Sequence, residues 1–211
     1  MKKVSLIVLL ALVLQSVIYG QASNEDIRTR MTLGLRVGAN LSNVYDESGE
    51  EFVADPKIGL VAGGYLSIPI GKFLGVQPGV YYSQKGFEGF GKLLGSPYEV
   101  KRTSSFLDVP LLLEIKPVGL ITIVAGPQFS YLLKQKDEFK TDLGTVEQVE
   151  EFENDDIRKN IMGITGGVDV NLNNLVIGVR AAWDVQKNGK DGASTPRYKN
   201  VLYQATLGFR F

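Results

Sequence analysis

The sequence predicts an all-β fold, an eight-stranded antiparallel up-and-down transmembrane β-barrel, and three observations predict it. Eight segments of the 211-residue chain alternate apolar and polar residues with a period of two. The connections between them alternate short and long in strict order, as periplasmic turns and extracellular loops do. After residue 20, no segment sustains a 3.6-residue apolar period or reaches the roughly 20 apolar residues that a membrane helix needs.

The first element is an address rather than a part of the fold. Met1-Lys2-Lys3 supplies a positive end, Val4 to Ile18 is a nearly unbroken apolar run, and Gly20-Gln21-Ala22 offers the small residues a signal peptidase prefers. Residues 1–22 read as a cleaved export signal, 23–30 as a short N-terminal periplasmic segment, and 31–211 as the barrel. With no cysteine near the cut, a lipid anchor is excluded.

The strands follow in order. Residues 32–41 place Leu33, Leu35, Val37, Ala39 and Leu41 on one face and Gly34, Arg36, Gly38 and Asn40 on the other. Residues 58–70 set Ile58, Leu60, Leu66, Ile68 and Ile70 against Gly59, Gly63, Tyr65 and Ser67, and 73–84 set Leu74, Val76, Val80 and Tyr82 against Gly75, Gln77, Tyr81 and Ser83. Residues 105–116 separate Leu107, Val109, Leu111, Leu113 and Ile115 from Asp108, Glu114 and Lys116. In 120–133, Ile121, Ile123, Phe129, Tyr131 and Leu133 oppose Thr122, Gly126, Gln128 and Ser130. The last three are 160–172 (Met162, Ile164, Val168, Val170 against Thr165 and Asp169), 175–184 (Ile177, Val179, Trp183 against Arg180 and Asp184) and 200–211 (Tyr203, Leu207, Phe209, Phe211 against Gln204 and Arg210). Each is about twice the length of a strand in a soluble sheet and matches the 9–11 residues of a tilted membrane strand. The short turns are Gly71-Lys72, Pro117-Val118-Gly119 and Asn173-Asn174. The long polar loops are 42–57, 85–104, 134–159 and 185–199.

Charge decides which face is outside. The face carrying Arg36, Asp108, Glu114, Lys116, Asp169, Arg180, Asp184 and Arg210 holds both signs in equal number and suits a narrow lumen where charges pair. Eight strands leave an interior that side chains just fill, so a plugged core is expected rather than an open channel. The apolar face puts Tyr82, Tyr131, Trp183 and Tyr203 beside the long loops and Phe209 and Phe211 at the opposite end, as two aromatic girdles would require. Pro69, Pro78, Pro110 and Pro127 fall inside strands of a fold with no free edge, and bulges are the expected accommodation.

Composition excludes most chemistry. With no histidine and no cysteine, the chain has no imidazole base, no thiolate ligand and no cysteine nucleophile. Its 23 basic and 23 acidic residues argue against nucleic acid, which selects a basic excess. Gly86-Phe87-Glu88-Gly89-Phe90-Gly91-Lys92 nearly spells a phosphate loop, but Leu93 stands where Ser or Thr would hold magnesium, so a glycine-rich outer loop is the better account. The acidic stretch 134–157 lacks EF-hand spacing and reads as a solvated loop, and its paired carboxylates Glu150 and Glu151 lack the fixed geometry catalysis needs. Neither catalytic residue, cofactor nor metal site is expected.

Three segments together carry a resemblance: Gly34-Leu35-Arg36-Val37-Gly38-Ala39-Asn40-Leu41-Ser42, Phe106-Leu107-Asp108-Val109-Pro110-Leu111-Leu112, and Ala125-Gly126-Pro127-Gln128-Phe129-Ser130-Tyr131-Leu132-Leu133. The chain resembles the PorT-like outer-membrane β-barrel proteins of Bacteroidetes-type bacteria, from about Met31 to Phe211. The resemblance implies an outer-membrane location and a non-enzymatic structural or accessory surface role assisting protein secretion. A narrow pore or small-ligand-binding barrel is the alternative. Expected partners are outer-membrane lipid and lipopolysaccharide, the barrel-assembly machinery reading the last strand up to Phe211, and surface or secretion proteins meeting the long loops.

Overall fold

The computed structural model describes residues 26–48, 54–93, 96–141, 144–150, 159–189 and 197–211. The proposed signal segment, the first part of the N-terminal segment and the tips of the long connections lie outside the described residues. A 3-10 turn, Ile27–Thr29, precedes nine strands: β1 (Thr32–Ser48), β2 (Ala54–Pro69), β3 (Leu74–Leu93), β4 (Ser96–Val118), β5 (Ile121–Thr141), β6 (Gly144–Glu150), β7 (Asn160–Leu172), β8 (Leu175–Asp184) and β9 (Arg197–Arg210).

Eight of these strands form an antiparallel ring. Consecutive strands pair from β1 to β5, β5 then pairs with β7, and β9 returns to β1 through a register that includes Val37↔Leu207 and Leu41↔Tyr203. Closure satisfies the ladder of every ring strand on both sides, which lipid demands because it offers no alternative hydrogen-bond partner. β6 stands outside the ring and pairs only with the upper end of β5.

Period-two patterning sorts the faces as expected. Leu35, Val37, Ile58, Leu60, Ile164, Val179 and Leu207 are exposed on the outer wall, whereas Arg36, Asn40, Val61, Glu114, Asp169 and Arg180 are buried within. Phe73, just before β3, and Tyr82 on β3 mark the two edges of the apolar wall. At about 3.4 Å per residue and a tilt near 40°, their separation is about 23 Å of height, close to the roughly 25 Å apolar band of an outer-membrane barrel.

Two expectations are corrected. The long connections are largely strand: β3 and β4 pair continuously up to Leu93↔Ser96, and β4 and β5 up to Tyr98↔Thr141. The stretch Gly86 to Lys92, expected as a loop, lies in β3, and part of the acidic 134–157 stretch forms the ends of β5 and β6. Above the membrane both faces of a sheet meet water or their own neighbours, so the alternation that identifies a lipid-facing strand is no longer imposed, while the ladder continues. Of the four prolines expected to need bulges, Pro69 is the last residue of β2 and keeps its bridge to Gly75, and the other three are accommodated without a register shift. Pro78 keeps its bridge to Leu111 and has none to β2, Pro110 keeps Gln128 and has none to β3, and Pro127 keeps Ile164 and has none to β4, with register unchanged across each gap. Each of these three prolines thus drops its bridge on one side. The register shifts lie elsewhere, chiefly toward the extracellular end, including one where Leu133 is extra between Ser105↔Lys134 and Phe106↔Leu132.

Candidate functional site

The lumen is the concave feature that the fold builds, and its contents follow from strand parity. Arg36 on β1 forks onto Asp169 on β7, with Nη1 to Oδ1 and Nη2 to Oδ2 both 3.1 Å. The guanidinium also stacks 4.1 Å from the Tyr65 ring centroid. Arg180 Nη2 donates to Asp169 Oδ2 at 3.4 Å and to Gln77 Oε1 at 2.7 Å. Gln77 Nε2 donates onward to Glu114 Oε1 at 2.7 Å, and Glu114 Oε2 accepts from Ser67 at 2.6 Å and pairs with Lys116 Nζ at 2.8 Å. One continuous chain of charge-assisted bonds therefore crosses the barrel from β1 to β4. Gly178 leaves the room it needs: a Cβ there would lie 2.6 Å from Asp169 Oδ1 and 2.7 Å from Thr206 Oγ1.

A second network sits nearer the extracellular end. Lys85 Nζ lies 3.3 Å from Asp108 Oδ1 and 3.9 Å from Asp184 Oδ1, and donates to Ser130 Oγ at 3.1 Å. Asp184 also accepts from Asn200 Nδ2 at 2.6 Å. All three charged residues are buried. Across both networks, four cations (Arg36, Lys85, Lys116, Arg180) face four anions (Asp108, Glu114, Asp169, Asp184), so the charge within these networks cancels.

The structure revises the membership of that set. Lys85 joins it although it was expected in a loop; continuing the inner parity of Tyr81 and Ser83 by one more step would have found it. Arg210 has no carboxylate partner among the described residues. It sits half-buried at the periplasmic rim, where Nε donates to the Asn173 carbonyl at 2.7 Å and Nη1 to Asn171 Oδ1 at 3.1 Å. The expected girdle residues divide by end: Tyr82, Trp183 and Tyr203 are exposed on the extracellular side, Tyr131 is half-buried there, and Phe209 and Phe211 are exposed on the periplasmic side with ring centroids 5.0 Å apart.

Both mouths are covered. At the extracellular end Val44, Phe87 and Tyr198 form a buried apolar cluster, with the two rings edge to face at 5.3 Å. Arg102 adjoins it, donating to Tyr198 Oη at 3.3 Å while forking onto Asp137 at 2.8 and 2.6 Å. At the periplasmic end the 3-10 turn packs against the strand turns: Arg28 Nη1 donates to the Pro117 carbonyl at 3.2 Å, and Ile27 lies near Gly119. Asp26 caps this turn through Arg28 N, and the Arg28 side chain holds its carboxyl well below the usual carboxylate range. Small cavities among the described residues include one of about 20 Å³ beside Arg28, Lys116 and Arg210 and one of about 10 Å³ beside Tyr81, Asp108 and Arg180. Each has room for about one water.

No group of three or more metal-ligating side chains occurs among the described residues. The buried carboxylates Asp108, Glu114, Asp169 and Asp184 each lie beside a cation, which fills the lumen with paired charge.

A family model described as an outer membrane protein β-barrel domain matches residues 19–185. No curated protein matches the sequence. Among solved structures, the chain is similar to Ail, the attachment invasion locus protein of Yersinia pestis, in a complex with the heparin analogue sucrose octasulfate. That match has 14% identity, covers 86% of this chain and 99% of that one, and has a TM-score of 0.49. It is also similar to Neisserial surface protein A (10% identity, 85% and 97% covered, TM-score 0.45) and to OprG of Pseudomonas aeruginosa (12% identity, 88% and 99% covered, TM-score 0.42).

Proposed function

The chain belongs to the outer-membrane β-barrel domain family, and on that premise we propose that it is a closed, non-enzymatic barrel serving as a structural or accessory surface component. The observation that carries this reading is the compensated lumen: four cations and four anions pair across the barrel between an apolar cap at one mouth and the N-terminal turn at the other. An ion would have to break a buried pair to pass. Removing one partner of such a pair costs about 3–5 kcal/mol, so thermal opening of the lumen is rare.

The parts available to partners are the hairpins that β3, β4, β5 and β6 raise above the apolar wall. The resemblance to PorT-like barrels supports a role in the export of cell-surface proteins, with the raised sheet as the contact. Planar-bilayer recording of the refolded protein tests the closed state, with quiet membranes expected. Steady unitary currents would favour the narrow pore instead. Deletion of the gene tests the secretion role: surface-protein export should fall, and unchanged export would remove that role while leaving the closed barrel intact.

A further inference from the structure

The two lumen networks cancel in charge only when taken together. The deeper one sets three cations, Arg36, Lys116 and Arg180, against two carboxylates, Glu114 and Asp169, whereas the one beneath the cap sets Lys85 against Asp108 and Asp184. At the periplasmic mouth Arg210 adds a further cation with no carboxylate partner among the described residues, and Arg28 of the N-terminal turn is matched by Asp26 at 2.6 Å. Lys72 lies 3.7 Å from the same Asp26 carboxylate but is exposed on the rim. The enclosed groups at this end are therefore left with two more cations than carboxylates.

Hydrogen bonding there is uneven in the same sense. Glu114 accepts from Gln77 and Ser67 and faces Lys116, and Asp169 accepts from Arg36 and Arg180, so both carboxylates are already surrounded by donors. The cations are not saturated in return. A lysine carries three N–H groups and an arginine five; among the described residues Lys116 meets Glu114 and Ser67, and Arg210 meets the Asn173 carbonyl and Asn171 Oδ1. The cavity of about 20 Å³ lies between Lys116 and Arg210, and Ile27 and Arg28 of the N-terminal turn line it from the periplasmic side. Spare charged donors around an enclosed space favour an anion over a neutral or cationic occupant. A volume with room for about one water restricts that anion to a single atom.

We propose that this vestibule is a binding site for a monatomic anion of the chloride class, held between Arg28 of the N-terminal turn and Lys116 and Arg210 of the barrel wall, so that the bound anion fastens the turn over the periplasmic mouth. The site draws on the barrel and its N-terminal turn alone. It stands whether or not the lumen conducts and whether or not the protein takes part in export.

The test is urea unfolding of the full chain in vesicles of zwitterionic lipid at fixed pH and ionic strength, with gluconate exchanged stepwise for chloride. An anion that binds only the folded chain raises the unfolding midpoint as its concentration grows. The parent should show that rise, and Arg210→Gln should need about tenfold more chloride or more for the same rise, because a hydrogen bond from a charged donor is lost. Arg210→Lys should keep most of the response, and Lys134→Gln, exposed toward the opposite end of the barrel, should behave as the parent. Bromide should separate parent from Arg210→Gln as chloride does, and sulfate, too large for the cavity, should not. If Arg210→Gln does not fold, Arg28→Gln on the turn should show the same weakened response. A rise shared equally by the parent and the glutamine variants is a general salt effect and overturns the site. No rise in the parent leaves the cavity to water and overturns the anion, and separation by sulfate as large as that by chloride overturns the single-atom occupant. A parent chain with no heat-modifiable gel band overturns instead the membrane barrel in which the site is built.

Discussion

Asp169 is the residue on which the lumen turns, since its two oxygens hold both Arg36 and Arg180. Asp169→Ala should destabilise the barrel by about 3–5 kcal/mol, because it leaves two buried guanidinium groups without a counter-charge; urea unfolding in lipid vesicles measures it. Arg210→Gln should cost less than about 1 kcal/mol in the same assay, since Arg210 is half-buried and bonds only neutral oxygens. Gly178→Val should also destabilise, by about 1–3 kcal/mol as an overpacked core does, because the new side chain would enter the space of Asp169 and Thr206. A Gly178→Val barrel as stable as the parent would show that this space is not needed. Most inner charges were legible in the sequence because lipid on one side forces a strict alternation, and Arg36, Asp108, Asp169 and Arg180 fall on the correct parity. Their partners were not legible. The pairing of β1 with β7 residues across the lumen depends on how the ring closes, and no local pattern encodes it.

At the scale of elements, the short turns and the raised hairpins behave differently. Asn173 occupies a left-handed conformation, φ 56°, in the turn joining β7 to β8. Asn173→Gly should be neutral or slightly stabilising, whereas Asn173→Val should cost about 1–2 kcal/mol, since a β-branched residue resists that region. Replacing β6, residues 144–150, by a glycine-serine segment of equal length should leave the ring folded, as β6 pairs with β5 alone; a loss of heat-modifiable mobility would show that β6 supports the barrel. The N-terminal turn is tied by Asp26, whose pKa is depressed in the folded chain. Its contribution is present above the ordinary aspartate range and is lost as pH falls through the depressed value, so a label on the turn should report release only in strong acid. Turn positions were legible from Gly71-Lys72 and Asn173-Asn174. The upper halves of β3, β4 and β5 were not, because their polar residues resemble loop composition and only the register with a neighbouring strand makes them extended.

For the whole molecule, a chain with equal numbers of acidic and basic residues spends part of that balance in the lumen and part on the rim. Paired charge inside and mixed charged ladders above the apolar wall divide one neutral composition into layers with separate duties. The absence of cysteine from the sequence gives direct access to the central claim, because any single cysteine introduced is the sole thiol. Thr165 lies inside the barrel beside Gln128, buried beneath the apolar cap, whereas Ser105 faces outward on β4 at the girdle and Glu88 higher on β3. The most direct measurement is labelling of Thr165→Cys by a small water-soluble maleimide in intact cells, with Glu88→Cys as the accessible control. A closed lumen leaves Thr165→Cys unlabelled while Glu88→Cys reacts within minutes; labelling of both at similar rates would mean that water and solutes pass freely through the barrel, contradicting it.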